Sequence, residues 1–276
     1  FGGKMYFLYK IMSFLPIFIL GLIQGIAEFL PISSSGHLFV AGKFLDFKQQ
    51  SLLIDVSLHL GTLGAVLLYF SKESKVLLLN MHNIFTNRSD ENALFTKNIL
   101  FATLPIVIIG GLLFAFGIAD ILRNLQVIAL ATIFFAILLY FADIRPNNHI
   151  EIKGLTLQKS FLIGMFQILS IIPGTSRAGI VYTGSRFLNL NRIEAARFSM
   201  ILSIPVIILS SAIPIIQLVK TPTQENLIYS IVGFIISFVV AYFSIDLLLK
   251  WLKSHSMIPF VIYRIIFGSI LLYITL

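Results

Sequence analysis

Long uninterrupted apolar runs dominate this chain of 276 residues and limit what it can fold into. A helix needs about 20 apolar residues to cross the hydrocarbon core of a bilayer. Runs of about this length occur six times, at residues 52–71, 99–118, 125–142, 198–219, 228–249 and 258–276. Charged residues make up 12% of the chain, whereas soluble domains carry about 25%. The sequence therefore predicts an all-α polytopic membrane protein.

Two further apolar stretches are broken in the middle and are poor candidates for continuous spans. Residues 11–41 contain Pro31 with serines, and residues 161–184 contain Pro173 and Gly174. A broken backbone leaves amide groups unpaired, and at membrane depth these are tolerated only where protein or a water-filled cavity surrounds them. Both stretches are therefore predicted to be re-entrant helix-loop-helix hairpins.

The two broken stretches also resemble each other. Each has Gly, then Gln three residues later, then Pro and a Ser/Thr-rich turn: "GLIQGIAEFLPISSSG" from Gly21 and "GMFQILSIIPGTSRAG" from Gly164. Each is followed by three spans, and an odd number of crossings turns the second unit upside down. We expect one membrane domain, residues 1–276, with an inverted-topology repeat. Its units would cover residues 11–142 and 161–276, and the tips of the two hairpins would meet.

The first hairpin places polar groups in apolar surroundings. Gln24 and Glu28 are four residues apart, so they lie on one face of a helix that Pro31 is expected to end. The three serines that begin at Ser33 favour helix N-caps, which predicts a second half-helix with His37 in its first turn. An ionisable side chain at membrane depth usually marks a functional path. We interpret Glu28 and His37 as acid-base groups beside a serine-rich turn.

The second hairpin contains groups that suit an anion. Gly174 lets the backbone approach closely, Thr175 and Ser176 supply hydroxyl and N-cap contacts, and Arg177 stands at a helix start. Backbone amides, a helix N-terminus and a guanidinium together form a site for phosphate. The two hairpins together therefore indicate acid-base groups that face a phosphate clamp.

Three ionisable residues outside these turns are open to more than one interpretation. Asp55 and His59, also four apart, lie near the start of the first full span and are either an interfacial supporting pair or catalytic. Arg264 lies in the last span, and we interpret it as structural, either snorkelling or paired with a carbonyl.

At these motifs the chain resembles the undecaprenyl-diphosphate phosphatase family, known also from bacitracin resistance. The family's first motif, (E/Q)xxxE followed by PxSSxGH, is matched by Gln24, Glu28, Pro31, Ser33, Ser34, Gly36 and His37. Its second, PGxSRSGxT, is matched by Pro173, Gly174, Ser176, Arg177 and Gly179. The segments "DVSLHLGTLGAVLLYF", "EAARFSMILSIP" and "YRIIFG" are also similar, so the resemblance spans nearly the whole chain. Ala178 departs from the usual Ser and Val181 from the usual Thr, with Thr183 close by.

The resemblance implies that the chain removes the terminal phosphate of undecaprenyl diphosphate and so recycles the lipid carrier of cell-wall synthesis. The residues it implies for catalysis are Glu28, Ser34, His37 and Arg177. Those it implies for substrate binding are Ser33, Gly174, Thr175, Ser176 and Thr183. Gln24 and Glu28 would either position a divalent cation, Mg²⁺ or Ca²⁺, whose preferred ligands are oxygens, or polarise the nucleophile. His37 or Ser34 would supply the base or the nucleophile. The attacking group is left open between Ser34 and an activated water.

The resemblance further implies six full spans with two re-entrant hairpins, a homodimer, and a site that opens outward from the bacterial inner membrane. Its partners would be an isoprenyl diphosphate lipid and bilayer lipids. The positive-inside rule agrees, with twelve Lys and Arg on the predicted cytoplasmic side against six on the other. The predicted cytoplasmic segments are residues 72–97, 143–159, 182–197 and 250–257. The first hairpin would then enter from outside.

Other function classes fit less well. The absence of cysteine excludes thiolate chemistry, and we assign the net charge of +8 to topology rather than to nucleic-acid binding. A membrane acid phosphatase of the phosphatidate type shares the SGH and SR elements. Its preceding Lys and Arg-Pro motif and its following His are missing at the required spacing. A lipid-carrier flippase built on the same inverted repeat remains the alternative.

Overall fold

The computed structural model describes residues 2–44, 52–82, 90–117, 121–146, 150–218 and 224–275. The α-helices in these ranges are α1 Gly2–Ala27, α2 Ser34–Phe44, α3 Leu52–Tyr69, α4 Ser71–Asn80, α5 Glu91–Ala115, α6 Leu125–Asp143, α7 Leu157–Ile168, α8 Arg177–Phe187, α9 Arg192–Leu218, α10 Gln224–Trp251 and α11 Ile258–Thr275. Every predicted span corresponds to one of the longer helices.

Length and composition make five of the described helices able to cross a membrane: α5, α6, α9, α10 and α11. The first predicted span is the exception. It corresponds to α3, which meets the same test only together with α4, and the two helices are bent by 96°. The structure therefore confirms an all-helical polytopic membrane protein.

Both predicted hairpins consist of two helices joined by a turn. The first comprises α1 and α2, and the second comprises α7 and α8, so the helices extend beyond the predicted limits at both ends. Helix α1 ends at Ala27, four residues before Pro31. Proline has no backbone N–H and its ring clashes with the preceding turn, which stops the helix early. Glu28 consequently lies in the turn, although its N–H still donates to the Gln24 carbonyl over 3.0 Å.

The two turns end in the same way. Ser33 and Ser176 both have positive φ, 76° and 69° respectively. The Ser33 hydroxyl accepts the N–H of Gly36 at 3.4 Å, and the Ser176 hydroxyl accepts the N–H of Gly179 at 3.1 Å. The predicted caps are confirmed, because α2 begins directly after Ser33 and α8 directly after Ser176. Each hairpin therefore presents a helix N-terminus at its tip.

The two hairpins pack against helices from the opposite half of the chain. Helix α1 packs on α10, and α7 packs on α5. Glycines allow the close approach: a Cβ at Gly25 would lie 2.6 Å from the Val240 side chain, and one at Gly164 would lie 2.4 Å from the Ala102 carbonyl oxygen. At the centre, α3 packs on α9 and α10, and α6 packs on α11.

A buried charged cluster fixes the far end of the second hairpin. The fully buried Asp143 accepts hydrogen bonds from the Tyr182 hydroxyl at 2.6 Å, from Arg192 Nε at 2.9 Å and from the Met257 N–H at 2.9 Å. Arg186, also fully buried, donates to backbone carbonyls around it. Because a buried charge must be paired to be tolerated, these contacts hold α8 firmly at its C-terminal end.

Candidate active site

An ion pair joins the tips of the two hairpins. Glu28 Oε1, in the first turn, lies 2.7 Å from Arg177 Nη2 at the start of α8, although the residues are 149 positions apart. The two side chains are 6% and 12% exposed, so little water screens the pair. The prediction that the tips meet is confirmed by this contact.

The second carboxylate oxygen of Glu28 contacts three further polar side chains. Its Oε2 accepts the Ser34 hydroxyl at 2.8 Å and the Gln24 side-chain amide at 3.0 Å. His59 Nε2 lies 3.9 Å from the same oxygen. The prediction that Gln24 and Glu28 share one face is correct. The carboxylate therefore stands between a guanidinium and a hydroxyl, as a proton acceptor next to an anion site would.

Arg177 divides its guanidinium between the two halves of the site. While Nη2 binds Glu28, Nη1 donates to the Ser199 carbonyl on α9 at 2.9 Å. The hydroxyl of Ser199 donates to the Ala178 carbonyl at 3.1 Å. Ser199 therefore places a hydroxyl beside Ala178, where the family motif has a serine. The fork is held at both ends, which fixes its direction.

Arg264, fully buried in α11, ties the two turns together. Its Nη1 donates to the Pro31 carbonyl at 3.2 Å, and its Nη2 donates to the carbonyls of Gly174 and Thr175 at 3.0 and 2.8 Å. The interpretation of Arg264 as a structural residue paired with carbonyls is therefore confirmed. Carbonyls of both turns therefore bind this guanidinium, so its terminal nitrogens are engaged within the protein.

His37 lies in the first turn of α2, as predicted, and the two histidines differ in what they contact. His37 Nδ1 lies 2.8 Å from the Ser33 carbonyl oxygen and Nε2 lies 2.6 Å from the Tyr263 hydroxyl, so neither nitrogen is bonded to Glu28 or Ser34. The histidine nearest the carboxylate is His59. Its Nδ1 lies 2.8 Å from the Asp55 carbonyl, which leaves Nε2 directed at Glu28. Of the open pair, His59 reaches the site itself, and Asp55 orients it through the backbone.

The hydroxyls expected to bind substrate have different surroundings. Ser33 Oγ caps α2 and lies 3.4 Å from Ser35 Oγ. The Thr175 hydroxyl is buried and has no hydrogen-bond partner. Thr183 donates to the Gly179 carbonyl within α8 at 2.8 Å, so that hydroxyl is engaged in its own helix. Among the expected hydroxyls, that of Thr175 is the one without a hydrogen-bond partner.

Gly174 is required by the backbone. Its φ of 94° lies in the left-handed region, and an added Cβ would lie 2.5 Å from the Ile128 carbonyl oxygen on α6. A side chain there would clash with main chain that cannot move aside, and it would also impose strain. The turn that presents Arg177 can therefore form only with glycine at this position.

The donor set for a cation is small. Within the described ranges there is no group of three or more His, Asp or Glu side chains that could hold a metal ion. Gln24 Oε1 is buried beside Glu28 and has no hydrogen-bond partner. An amide oxygen and a carboxylate can hold Mg²⁺ when substrate phosphate oxygens complete the shell. The Gln24 oxygen is therefore the amide group left free for a ligand, while the Gln24 NH₂ group faces Glu28.

Sequence reasoning missed three residues of the site. Tyr263 and Phe267 surround the His37 ring, and Ser199 holds Arg177. Tyr263 carried a signal, because it directly precedes Arg264, the single charged residue between positions 258 and 275. Ser199 lies in the segment "EAARFSMILSIP" that is similar to the family, but it is one of several serines in an apolar helix and nothing nearby singles it out.

The chain is similar to a known protein family over nearly its whole length. Residues 17–270 match the family described as bacitracin resistance protein BacA. The chain is 42% identical to the undecaprenyl-diphosphatase of Campylobacter concisus (strain 13826), over 94% of this chain and 98% of that protein. It is 39% identical to the undecaprenyl-diphosphatase of Jannaschia sp. (strain CCS1), over 95% and 99% of the two chains. The chain with the Glu28–Arg177 pair belongs to the bacitracin resistance protein BacA family.

Proposed function

We propose that this chain is a membrane phosphatase that hydrolyses undecaprenyl diphosphate to undecaprenyl phosphate and inorganic phosphate, which recycles the lipid carrier for cell-wall synthesis. The observation that carries the proposal is the buried contact of Glu28 with both Arg177 and Ser34. It gathers a proton acceptor, a hydroxyl and a guanidinium at a helix N-terminus. The relatives named undecaprenyl-diphosphatase, aligned over nearly their whole length, support the substrate.

The terminal phosphate would bind first at Arg177. A guanidinium fork and the first N–H groups of α8 are suited to the oxygens of a phosphate. The incoming phosphate would replace Glu28 as the partner of Nη2, while the Ser199 carbonyl keeps Nη1 in place. Phosphoryl transfer depends chiefly on alignment and charge neutralisation, which this arrangement supplies.

Glu28 would then act on the attacking group. Its Oε2 already accepts the Ser34 hydroxyl at 2.8 Å, so Ser34 is the hydroxyl best placed for attack. As Ser34 Oγ bonds to the terminal phosphorus, its proton passes to Glu28 and the bond to the bridging oxygen breaks, which releases undecaprenyl phosphate. Water then cleaves the phosphoserine to inorganic phosphate. In the alternative that the sequence left open, Glu28 activates a water for direct attack.

A divalent cation, Mg²⁺ or Ca²⁺, is part of this proposal. Gln24 Oε1 and Glu28 would hold it together with the diphosphate oxygens. Its chemistry would be to neutralise charge that develops on the phosphate oxygens. The unpartnered buried Gln24 oxygen supports this assignment.

We also propose six full spans and two re-entrant hairpins arranged as an inverted repeat, in a protein that forms homodimers. Two observations support the repeat. Ser33 and Ser176, like Gly36 and Gly179, are separated by 143 residues and adopt the same cap. The packing is also reciprocal, since α1 contacts α10 in the second half as α7 contacts α5 in the first.

Phosphate release by the purified protein tests the main proposal. We expect the wild-type chain in detergent to release inorganic phosphate from undecaprenyl diphosphate, measured colorimetrically over time. Detergent micelles have no separate leaflets, so lipid flipping cannot produce this signal. A folded protein that releases no phosphate, yet moves a labelled carrier lipid across vesicle bilayers, would instead favour the flippase.

We propose that the first hairpin faces the outside of the bacterial inner membrane and that the site opens there. Lys43, at the end of α2, and Lys253, between α10 and α11, are both exposed and lie on opposite predicted sides. The further candidates Lys48, Arg88 and Lys220 lie outside the described residues.

Thiol labelling of intact cells tests this orientation, since the chain has no cysteine of its own. We expect Lys43→Cys to react with a membrane-impermeant maleimide in intact cells. Lys253→Cys should react only after the membrane is permeabilised, and it serves as the matched control. The reverse pattern would contradict an outward-facing site.

A further inference from the structure

His37 is held on three sides. Its Nδ1 lies 2.8 Å from the Ser33 carbonyl oxygen, and its Nε2 lies 2.6 Å from the Tyr263 hydroxyl. The ring also stacks on Phe267 with centroids 4.2 Å apart and planes within 9°. Ser33 belongs to the same hairpin as His37. Tyr263 and Phe267 lie on α11, one helical turn apart.

The two hydrogen bonds determine where the neutral ring carries its hydrogen. A backbone carbonyl can only accept, so the hydrogen lies on Nδ1, which donates to Ser33. Nε2 is then the acceptor, and the Tyr263 hydroxyl donates to it. The nitrogen available for chemistry is therefore Nε2, and its direction depends on Tyr263.

We propose that Tyr263 is a positioning residue that acts through His37. The inference rests on the proposed phosphatase function and deepens it, because it assigns a role to a residue outside both motifs. The Tyr263 hydroxyl and the Phe267 face fix the plane of the His37 ring and the direction of Nε2. Tyr263 thus sets the ring in place before reaction; the water that cleaves the phosphoserine then replaces the Tyr263 hydroxyl at Nε2 and gives its proton to that nitrogen as its oxygen bonds to phosphorus and the Ser34 oxygen leaves. A base oriented by a third group is a recurring device in hydrolases.

Tyr263→Phe removes the hydroxyl alone and keeps the aromatic ring against Phe267. We expect kcat for phosphate release to fall about tenfold, as for one lost orienting hydrogen bond, with KM changed less than about twofold. Tyr273→Phe is the matched control, because Tyr273 lies on the same helix and is 85% exposed. It should retain wild-type kinetics.

A second measurement follows the histidine itself. In protein with ¹⁵N-labelled imidazoles, the Nε2 resonance of His37, assigned by its loss in His37→Ala, should shift in Tyr263→Phe and stay unchanged in Tyr273→Phe. An unchanged kcat or an unchanged Nε2 resonance in Tyr263→Phe would overturn the proposal. A wild-type protein that releases no phosphate would instead mark the failure of the phosphatase assignment, since the resonance is measured without substrate.

Discussion

Replacing Arg177 with alanine should lower the rate of phosphate release by about a thousandfold or more, the range known for arginines that stabilise transferring phosphoryl groups. The change removes the phosphate clamp and also leaves Glu28 buried without its 2.7 Å partner. Losing one partner of a buried ion pair costs roughly 3–5 kcal/mol of stability. The alanine variant alone could therefore fail through unfolding.

The Arg177→Lys variant separates the effect of the guanidinium fork from the effect of the positive charge. Lysine keeps the cation but loses the fork that joins Glu28 to the Ser199 carbonyl, so we expect about a hundredfold loss in kcat with a normal gel-filtration profile. Arg145→Lys is the matched control, since Arg145 is exposed and donates to the Phe187 carbonyl. A lysine variant at position 177 with full activity would contradict the bidentate clamp.

Arg264 gives no rescue in these variants. Both of its terminal nitrogens are engaged with carbonyls of the two turns, and its Nε is buried without a partner. Arg177 therefore remains the guanidinium that we propose as the phosphate clamp, although the guanidinium of Arg264 also reaches the second turn.

Local features of the site could be predicted from the sequence because they depend on a few neighbouring residues. Serine caps, the glycine turn and the i, i+4 pair of Gln24 and Glu28 each follow from short-range geometry. The end of α1 was predicted less well, since Pro31 affects the turn before it as well as its own position.

Contacts between distant segments could not be predicted in the same way. The sequence predicted that Glu28 and His37 lie beside the serine-rich turn, but it could not show that His59 is the histidine that faces the carboxylate. Which face α3 turns toward the first hairpin is set by its packing on α9 and α10, and no local pattern records that. The contact of Tyr263 with His37 could not be predicted for the same reason, because the two residues are 226 positions apart in the sequence.

Two buried glutamines at matching places in the two hairpin sequences make different contacts. Gln24 and Gln167 are 143 residues apart and both fully buried. Gln24 donates to Glu28, whereas Gln167 donates to the Ala102 carbonyl of the neighbouring helix. The position equivalent to Glu28 in the second hairpin is Ile171, which offers no acceptor. The difference between Glu28 and Ile171 therefore accounts for the two contacts: Gln24 binds a carboxylate of the site, whereas Gln167 binds a neighbouring helix.

Glu28→Gln should lower kcat by at least about a thousandfold, because phosphoryl transfer here needs the carboxylate as proton acceptor. The amide has nearly the same volume, but its NH₂ group must face Arg177 or the donors Gln24 and Ser34, all of which now meet a carboxylate oxygen. Gln24→Ala removes one hydrogen bond to Glu28 and should cost only about tenfold.

The comparison of Glu28→Gln with Gln24→Ala tests whether turnover needs a carboxylate at position 28. Initial rates with undecaprenyl diphosphate are measured for both, together with thermal unfolding in detergent to confirm that each variant folds. Glu73→Gln is the matched control, since Glu73 pairs with Arg197 at 2.6 Å outside the site, and its kcat should stay within about twofold of the wild type. Because position 24 already functions with an amide, whereas position 28 must both receive a proton and balance Arg177, equal losses at the two positions would contradict the role of Glu28 as the base.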